Sequence, residues 1–210
     1  MKKVHRILPG LSIWLGLLFL SGCTTTVEVD GTNPIPKVRQ VPASVGVYYD
    51  ENFKDFQHTE SIEAEGTWKI NLGDQNYTFF QNVLSSMFGQ VTVLDSPQPT
   101  PEQAANLDAI VVPKIEKYGF LTPGLSGLKY FSASIHYRVT MTDEQGNELA
   151  DWKNVGYGKS EGGAFSADTA LGEATMDAIR DGGALFAIEF PKLTKVADWA
   201  QRHTEISDED

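Results

Sequence analysis

The chain has 210 residues, with 17 Lys and Arg against 28 Asp and Glu, a formal net charge of −11, and 41% hydrophobic residues. A balance this acidic excludes phosphate-backbone binding, because that affinity comes from clustered Lys and Arg and no basic stripe is present to supply it. The one cysteine excludes an intramolecular disulfide and a Cys-based metal cluster, and the length suits one domain of ordinary size with extensions.

Lys2, Lys3 and Arg6 precede a run from Ile7 to Leu20 without a charged side chain, closed by Ser21, Gly22 and Cys23. This is the layout of an export signal: the positive start stays on the cytoplasmic side while the apolar run enters the bilayer and presents small residues to a peptidase. A transmembrane anchor needs about 20 apolar residues, and this run is shorter and broken by Pro9 and Gly10. Leu20, Ser21, Gly22 and Cys23 resemble the lipobox of bacterial lipoproteins, in which the cysteine takes diacylglycerol and becomes the new amino terminus. The resemblance implies cleavage before Cys23, with residues 1–22 as signal peptide. Aspartate after the cysteine tends to retain such proteins at the inner membrane; Thr24 stands there instead, which implies an outer-membrane anchor and a body facing the periplasm. Acyl chains stabilise such an anchor by about 0.8 kcal/mol per buried CH₂, so three of them hold it in effect permanently. Loss of Lys2, Lys3 and Arg6 leaves 14 basic against 28 acidic side chains, a formal −14 over 188 residues.

Residues 24–42 are rich in Thr and polar groups, with Pro34, Pro36 and Pro42 close together. They read as an extended, partly polyproline-like tether, 23–43 in all, that stands the body off the membrane. Val45 to Tyr49 is the first predicted strand and Thr67 to Leu72 a second, short one. Asp74 or Asn76 then caps a helix in which Phe80, Val83, Leu84, Met87 and Phe88 recur at helical spacing, with Gly89 placed for a left-handed cap. Val91 to Leu94 follows as a strand, then a loop with Pro97, Pro99 and Pro101, then a strand from Asp108 to Tyr118. Pro113 lacks the N–H a ladder needs, which predicts an edge position or a bulge there.

From Tyr130 to Thr142 the apolar residues Phe131, Ala133, Ile135, Tyr137, Val139 and Met141 alternate with polar ones, the period of a strand buried on one face. Asp143 to Asn147 form a turn into a partner strand, Glu148 to Tyr157. Ser166 or Asp168 caps a long helix that ends near Phe190 because Pro191 follows, with a kink or break expected at Gly182 and Gly183. A short amphipathic helix, Leu193 to Arg202, closes the body. The order predicts an α/β (α+β) fold, a single layer of helices on a mixed β-sheet, one domain over 44–203 before a solvated acidic tail, 204–210.

No catalytic set assembles in this pattern. Gly158, Lys159 and Ser160 resemble the end of a phosphate-binding loop, but Lys153 stands where the motif requires glycine, so a glycine-rich strand exit is the better account. Ser126 lacks the second glycine of a nucleophile elbow and reads as a turn serine. His58, His136 and His203 have no metal-ligand spacing, and the carboxylates Asp50, Glu51, Asp55, Glu60, Glu63 and Glu65 are a solvated face before they are an acid/base pair. No cofactor and no metal are expected.

The segment from Tyr118 to Phe131 is both turn-rich and apolar. Gly and Pro argue for a surface loop, which predicts an exposed patch of Phe120, Leu121, Leu125 and Leu128 serving as a partner or membrane contact; a loop folded back over the core is the alternative.

The acidic strand opening, the helix ending in Phe88 and Gly89, the run Asp108, Ala109, Ile110, Val111, Val112, Pro113, and a hairpin with Asp143, Gly146 and Trp152 resemble, over about 44–190, a group of envelope lipoproteins. That group includes the curli-secretion lipoprotein, the Pel-polysaccharide secretion lipoprotein and the activators of penicillin-binding proteins. Of its functional residues only the lipobox carries over; the lipid anchor, the tether and the absence of a catalytic set lead to the expectation of a non-enzymatic interaction or assembly module of an envelope export or cell-wall machine, with an envelope protein partner and association of further copies left open. The long amphipathic hairpins of the pore-forming curli member are missing, which argues against a channel. The competing expectation is a lipid-anchored periplasmic enzyme or small-ligand binder built around His58 or His136.

Overall fold

The computed structural model describes residues 24–162 and 166–208, so the signal peptide, Cys23 and the last two residues of the acidic tail lie outside the described residues. In chain order the elements are β1 (Thr24–Glu28), β2 (Val41–Tyr48), α1 (Glu51–Lys54), β3 (Gln57–Ile62), β4 (Gly66–Asn71), α2 (Gly73–Met87) and β5 (Phe88–Leu94). There follow α3 (Pro101–Ala104), β6 (Ala109–Leu121), α4 (Pro123–Ser126), β7 (Tyr130–Asp143), β8 (Glu148–Glu161), α5 (Ala167–Glu189), a 3₁₀ turn (Phe190–Lys192) and α6 (Thr194–Asp208). Among these no helix is long and apolar enough to cross a membrane.

A five-stranded sheet in the order β5-β2-β6-β7-β8 forms the frame, parallel through β5, β2 and β6 and antiparallel from β6 to β8. It is the mixed sheet the alternation predicts, and Phe131, Ala133, Ile135, Tyr137, Val139 and Met141 of β7 are all buried against the helices on one face. Pro113 sits inside β6, yet β2 pairs with β6 only over Ala109–Val111. Beyond that point β6 has no ladder with β2 and pairs with β7 alone, and a register shift follows between Ile115 and Lys117.

A second, three-stranded sheet, β1-β4-β3, was not legible as such. It corrects the expected tether: Thr24 to Glu28 is a strand parallel to β4, with Val27 fully buried and Val29 nearly so. Threonine and valine suit a pleated, half-buried surface, and no Pro or Gly interrupts these five residues. The Pro-containing stretch after it is strapped to the body, because Arg180 donates from Nε (3.1 Å) and Nη2 (2.8 Å) to the Thr32 carbonyl. β3 escapes the sequence pattern because it is an outer strand whose burial is confined to Ile62 and half of His58.

Two helix expectations change. The residue after α2 is not a left-handed cap: Phe88 is already extended (φ −124°, ψ 150°) and Gly89 lies in β5, close to Pro42 and Ala43 of β2. α5 runs unbroken through Gly182 and Gly183, because both are sites of close contact. A Cβ on Gly182 would lie 2.5 Å from Tyr137 Cε2, and one on Gly183 only 1.6 Å from Phe79 Cε1. The same holds across the interface, where a Cβ on Gly156 would meet the Ala178 carbonyl at 2.2 Å and one on Gly158 the Ala174 carbonyl at 2.1 Å. At the far end α6 extends to Asp208, with Gln201 donating to Glu205 at 2.8 Å, so most of the expected acidic tail continues a helix.

The core is aromatic. Phe80 meets Phe53 and Tyr137 at 5.4 Å and Phe186 at 5.6 Å between ring centroids. Within it the Tyr137 hydroxyl donates to Asn76 Oδ1, and Asn76 Nδ2 donates to the Leu72 carbonyl at 2.8 Å. Burial raises the Tyr137 phenol well above its ordinary range, so it stays a neutral donor. Asn76, expected as a cap, is instead a buried polar anchor.

Replacing Gly158 with Ala forces a methyl against helix backbone and is expected to cost at least about 2 kcal/mol, while Gly119→Ala, whose Cβ would meet nothing nearer than Ser134 Oγ at 3.7 Å, stays within about 1 kcal/mol of the parent. Urea midpoints compare the two. Tyr137→Phe strands the Asn76 carbonyl oxygen in the core and is expected to cost about 1–3 kcal/mol by the same assay.

Candidate functional site

The segment between β6 and β7 is a clamped protrusion. Thr122 caps α4: its Oγ1 accepts from the Leu125 N–H at 3.1 Å and donates to Glu65 Oε1 at 2.8 Å. Ser126 Oγ donates to the Thr122 carbonyl at 2.9 Å and accepts from the Leu128 N–H at 3.2 Å, so it is the turn serine its neighbours imply. Gly127 ends the turn at φ 69°, a conformation that an L side chain resists. With these polar groups tied inward, the apolar ones remain outside: Leu121 is 48% exposed, Leu125 49% and Leu128 46%.

Phe120 is a correction to the expected patch, being only 8% exposed. Side chains alternate along β6, so Tyr118 and Phe120 turn toward the helices while Leu121 faces the open side of the sheet. Phe120 packs on Trp68 (5.8 Å) and His58 (6.0 Å), and Trp68 in turn on Phe131 (6.2 Å). Beside them the Tyr118 hydroxyl bonds Thr175 Oγ1 at 2.7 Å, and Thr175 donates to the Leu171 carbonyl at 2.8 Å. Burial pushes the Tyr118 phenol up, and the Thr175 bond only partly offsets it. The small sheet, α5 and the root of the loop thus share one wall.

The histidines stay apart. His58 Nε2 lies 3.1 Å from Glu60 Oε2 and stacks near Tyr118, His203 Nδ1 approaches the Trp199 carbonyl at 2.8 Å, and His136 lines a shallow groove on the open sheet face with Lys117, Ser134 and Tyr157. Among the described residues no three His, Cys, Asp or Glu side chains converge as a metal site would require. Gly158, Lys159 and Ser160 lie inside β8, which runs to Glu161; the glycine admits α5, Ser160 Oγ donates to Glu173 at 2.8 Å, and Lys159 Nζ stands 5.7 Å above the Tyr130 ring. The feature the sequence did not disclose is the Glu65–Thr122 clamp. It joins residues 57 apart, and one glutamate among many carries no local signal.

No family model and no curated protein matches this chain. Among solved structures, a Xanthomonas campestris protein of the DUF330 family is similar at 13% identity over 85% of this chain and 99% of that chain, with a TM-score of 0.53. A Helicobacter pylori protein described as a neuraminyllactose-binding hemagglutinin homologue is similar over 85% of this chain and 100% of that chain, at 14% identity and a TM-score of 0.49. A Neisseria meningitidis lipoprotein covers 61% of this chain and 90% of that chain, at 12% identity and a TM-score of 0.32. The first likeness establishes the fold alone; the other two are too weak to argue from, though a lipoprotein stands among the neighbours.

The double variant Leu121→Ser and Leu125→Ser is expected to melt close to the parent, since surface substitutions usually shift stability by under about 0.5 kcal/mol. Phe120→Ala, at the residue next to Leu121 but inside the core, is expected to lose about 3–5 kcal/mol and to melt far earlier. Calorimetry or thermal circular dichroism separates the two.

Proposed function

We propose that this chain is a lipoprotein, held in the outer membrane through Cys23 with its body in the periplasm, and that it acts as a non-enzymatic interaction or assembly module of an envelope export or cell-wall machine. The observation that carries this reading is the unbroken succession of basic start, apolar run and Leu20-Ser21-Gly22-Cys23. The order of elements, similar to that of the curli-secretion, Pel-polysaccharide and penicillin-binding-protein activator lipoproteins, supports the accessory role. An enzyme or small-ligand binder would draw on carboxylates converging at His58 or His136, and among the described residues His58 meets Glu60 alone.

Cys23→Ser is expected to abolish palmitate labelling and signal cleavage at that site, because the peptidase of this pathway acts on a diacylated thiol that serine does not supply. Persistent label in that variant would refute the anchor. For the role, cross-linking in intact cells followed by detergent extraction and capture is expected to recover a component of an envelope export or wall-synthesis system. Recovery of none, together with substrate turnover by the purified protein, would favour the enzymatic reading.

A further inference from the structure

We infer that the body rests directly on the bilayer, with Leu125 and Leu128 of the α4 loop set among the lipid headgroups beside the anchored cysteine. This rests on the lipoprotein reading above and adds an orientation to it.

The described chain begins inside folded structure. Thr24, the residue after Cys23, is already in register with Thr67 of β4. Consecutive Cα atoms are about 3.8 Å apart, so acyl chains on Cys23 would start one residue from folded sheet, with no slack to lift the body away. Thr67 lies two residues from Glu65, and Glu65 is the residue that clamps Thr122; a Cβ on Gly124 would come within 2.1 Å of the same carboxylate. The start of β1, the turn between β3 and β4, and the α4 loop are therefore one end of the molecule.

That end has the makeup of an interfacial surface. Leu125 and Leu128 project from a single turn that its own hydrogen bonds keep ordered, so little conformational freedom is lost on contact. Lys129 follows them, and Lys159 stands over Tyr130, a pairing of aromatic and cationic side chains that suits the headgroup layer. One helical turn is about 5 Å tall, which matches the shallow insertion of about 5–10 Å seen for apolar faces lying in an interface. Glu63, Glu65 and Glu161 border the same end, so apolar burial and not attraction to anionic lipid carries the contact, and a zwitterionic surface is the fitting partner.

The test uses the mature lipidated protein, purified from envelopes and reconstituted into phosphatidylcholine vesicles. Because a lipidated Cys23 has no free thiol, a nitroxide can be placed on Leu125→Cys, Leu128→Cys or, in the remote turn between β7 and β8, Gln145→Cys. The expected result is a ratio of oxygen to nickel-chelate accessibility several-fold higher at 125 and 128 than at 145. Nickel access at 125 and 128 equal to that at 145, in a protein that carries palmitate and floats with the vesicles, overturns the seating while leaving the anchor intact. Low access to both reagents, or dipolar broadening between labels, means that protein or a second copy covers the loop and likewise overturns it. Absence of palmitate and flotation in the parent protein defeats the lipoprotein reading itself, and the orientation with it.

Discussion

The fold depends on how closely α5 lies on the sheet. Gly156 and Gly158 of β8 leave no side chain between strand and helix, and the Ala178 and Ala174 carbonyls occupy the space a Cβ would need. From the helix side Gly182 and Gly183 admit the rings of Tyr137 and Phe79 in the same way. A helix brought this near the strands buries Leu171, Ala174, Ala178 and Ile179 together, and it sets the height at which Tyr118 reaches Thr175. The glycines in a helix interior cost about 0.5–1 kcal/mol each in backbone entropy, so their presence makes sense only as the means of this approach.

Around that seam the small sheet does different work. It extends the helix layer sideways, closing over Tyr118 and Phe120 with His58 and Trp68, and it carries the start of the described chain into the structure. β1 is held from two sides, by β4 through its ladder and by α5, where a Cβ on Gly172 would meet the Glu28 carbonyl at 3.0 Å. The loop of α4 takes its position from the same sheet through Glu65. The start of the described chain and the protrusion are thus joined through the same small sheet.

What was legible in the sequence follows from where the signal resides. The alternation in β7 and the helical spacing in α2 are local patterns imposed by one buried face, and both appear at nearly the predicted bounds. β1 and β3 were not legible because their burial is partial and comes from partners distant in sequence; Thr-rich and acidic stretches look like linker and surface when read alone. Gly182 and Gly183 mislead for a related reason. Propensity marks them as weak helix, whereas the rings packed against them, contributed from Tyr137 and Phe79, are a tertiary fact. Of the α4 loop, the exposure of Leu121, Leu125 and Leu128 follows from their turn-rich setting, and the burial of Phe120 from strand parity, which the sequence offers only once the end of β6 is known.

The strap at Thr32 sets an order of events. Its carbonyl is bound by Arg180, 148 residues later, and β1 lies on α5, so the first strand has no completed seat until the last long helix exists. Contacts of such long sequence separation form late, because the loop entropy they close is large and must be met before they return any stability. On the proposed route of export the leader enters the bilayer first, so the start of the chain is at the membrane while α5 has yet to emerge. The domain then finishes folding as a chain held at one end, and its final step is the docking of its own beginning.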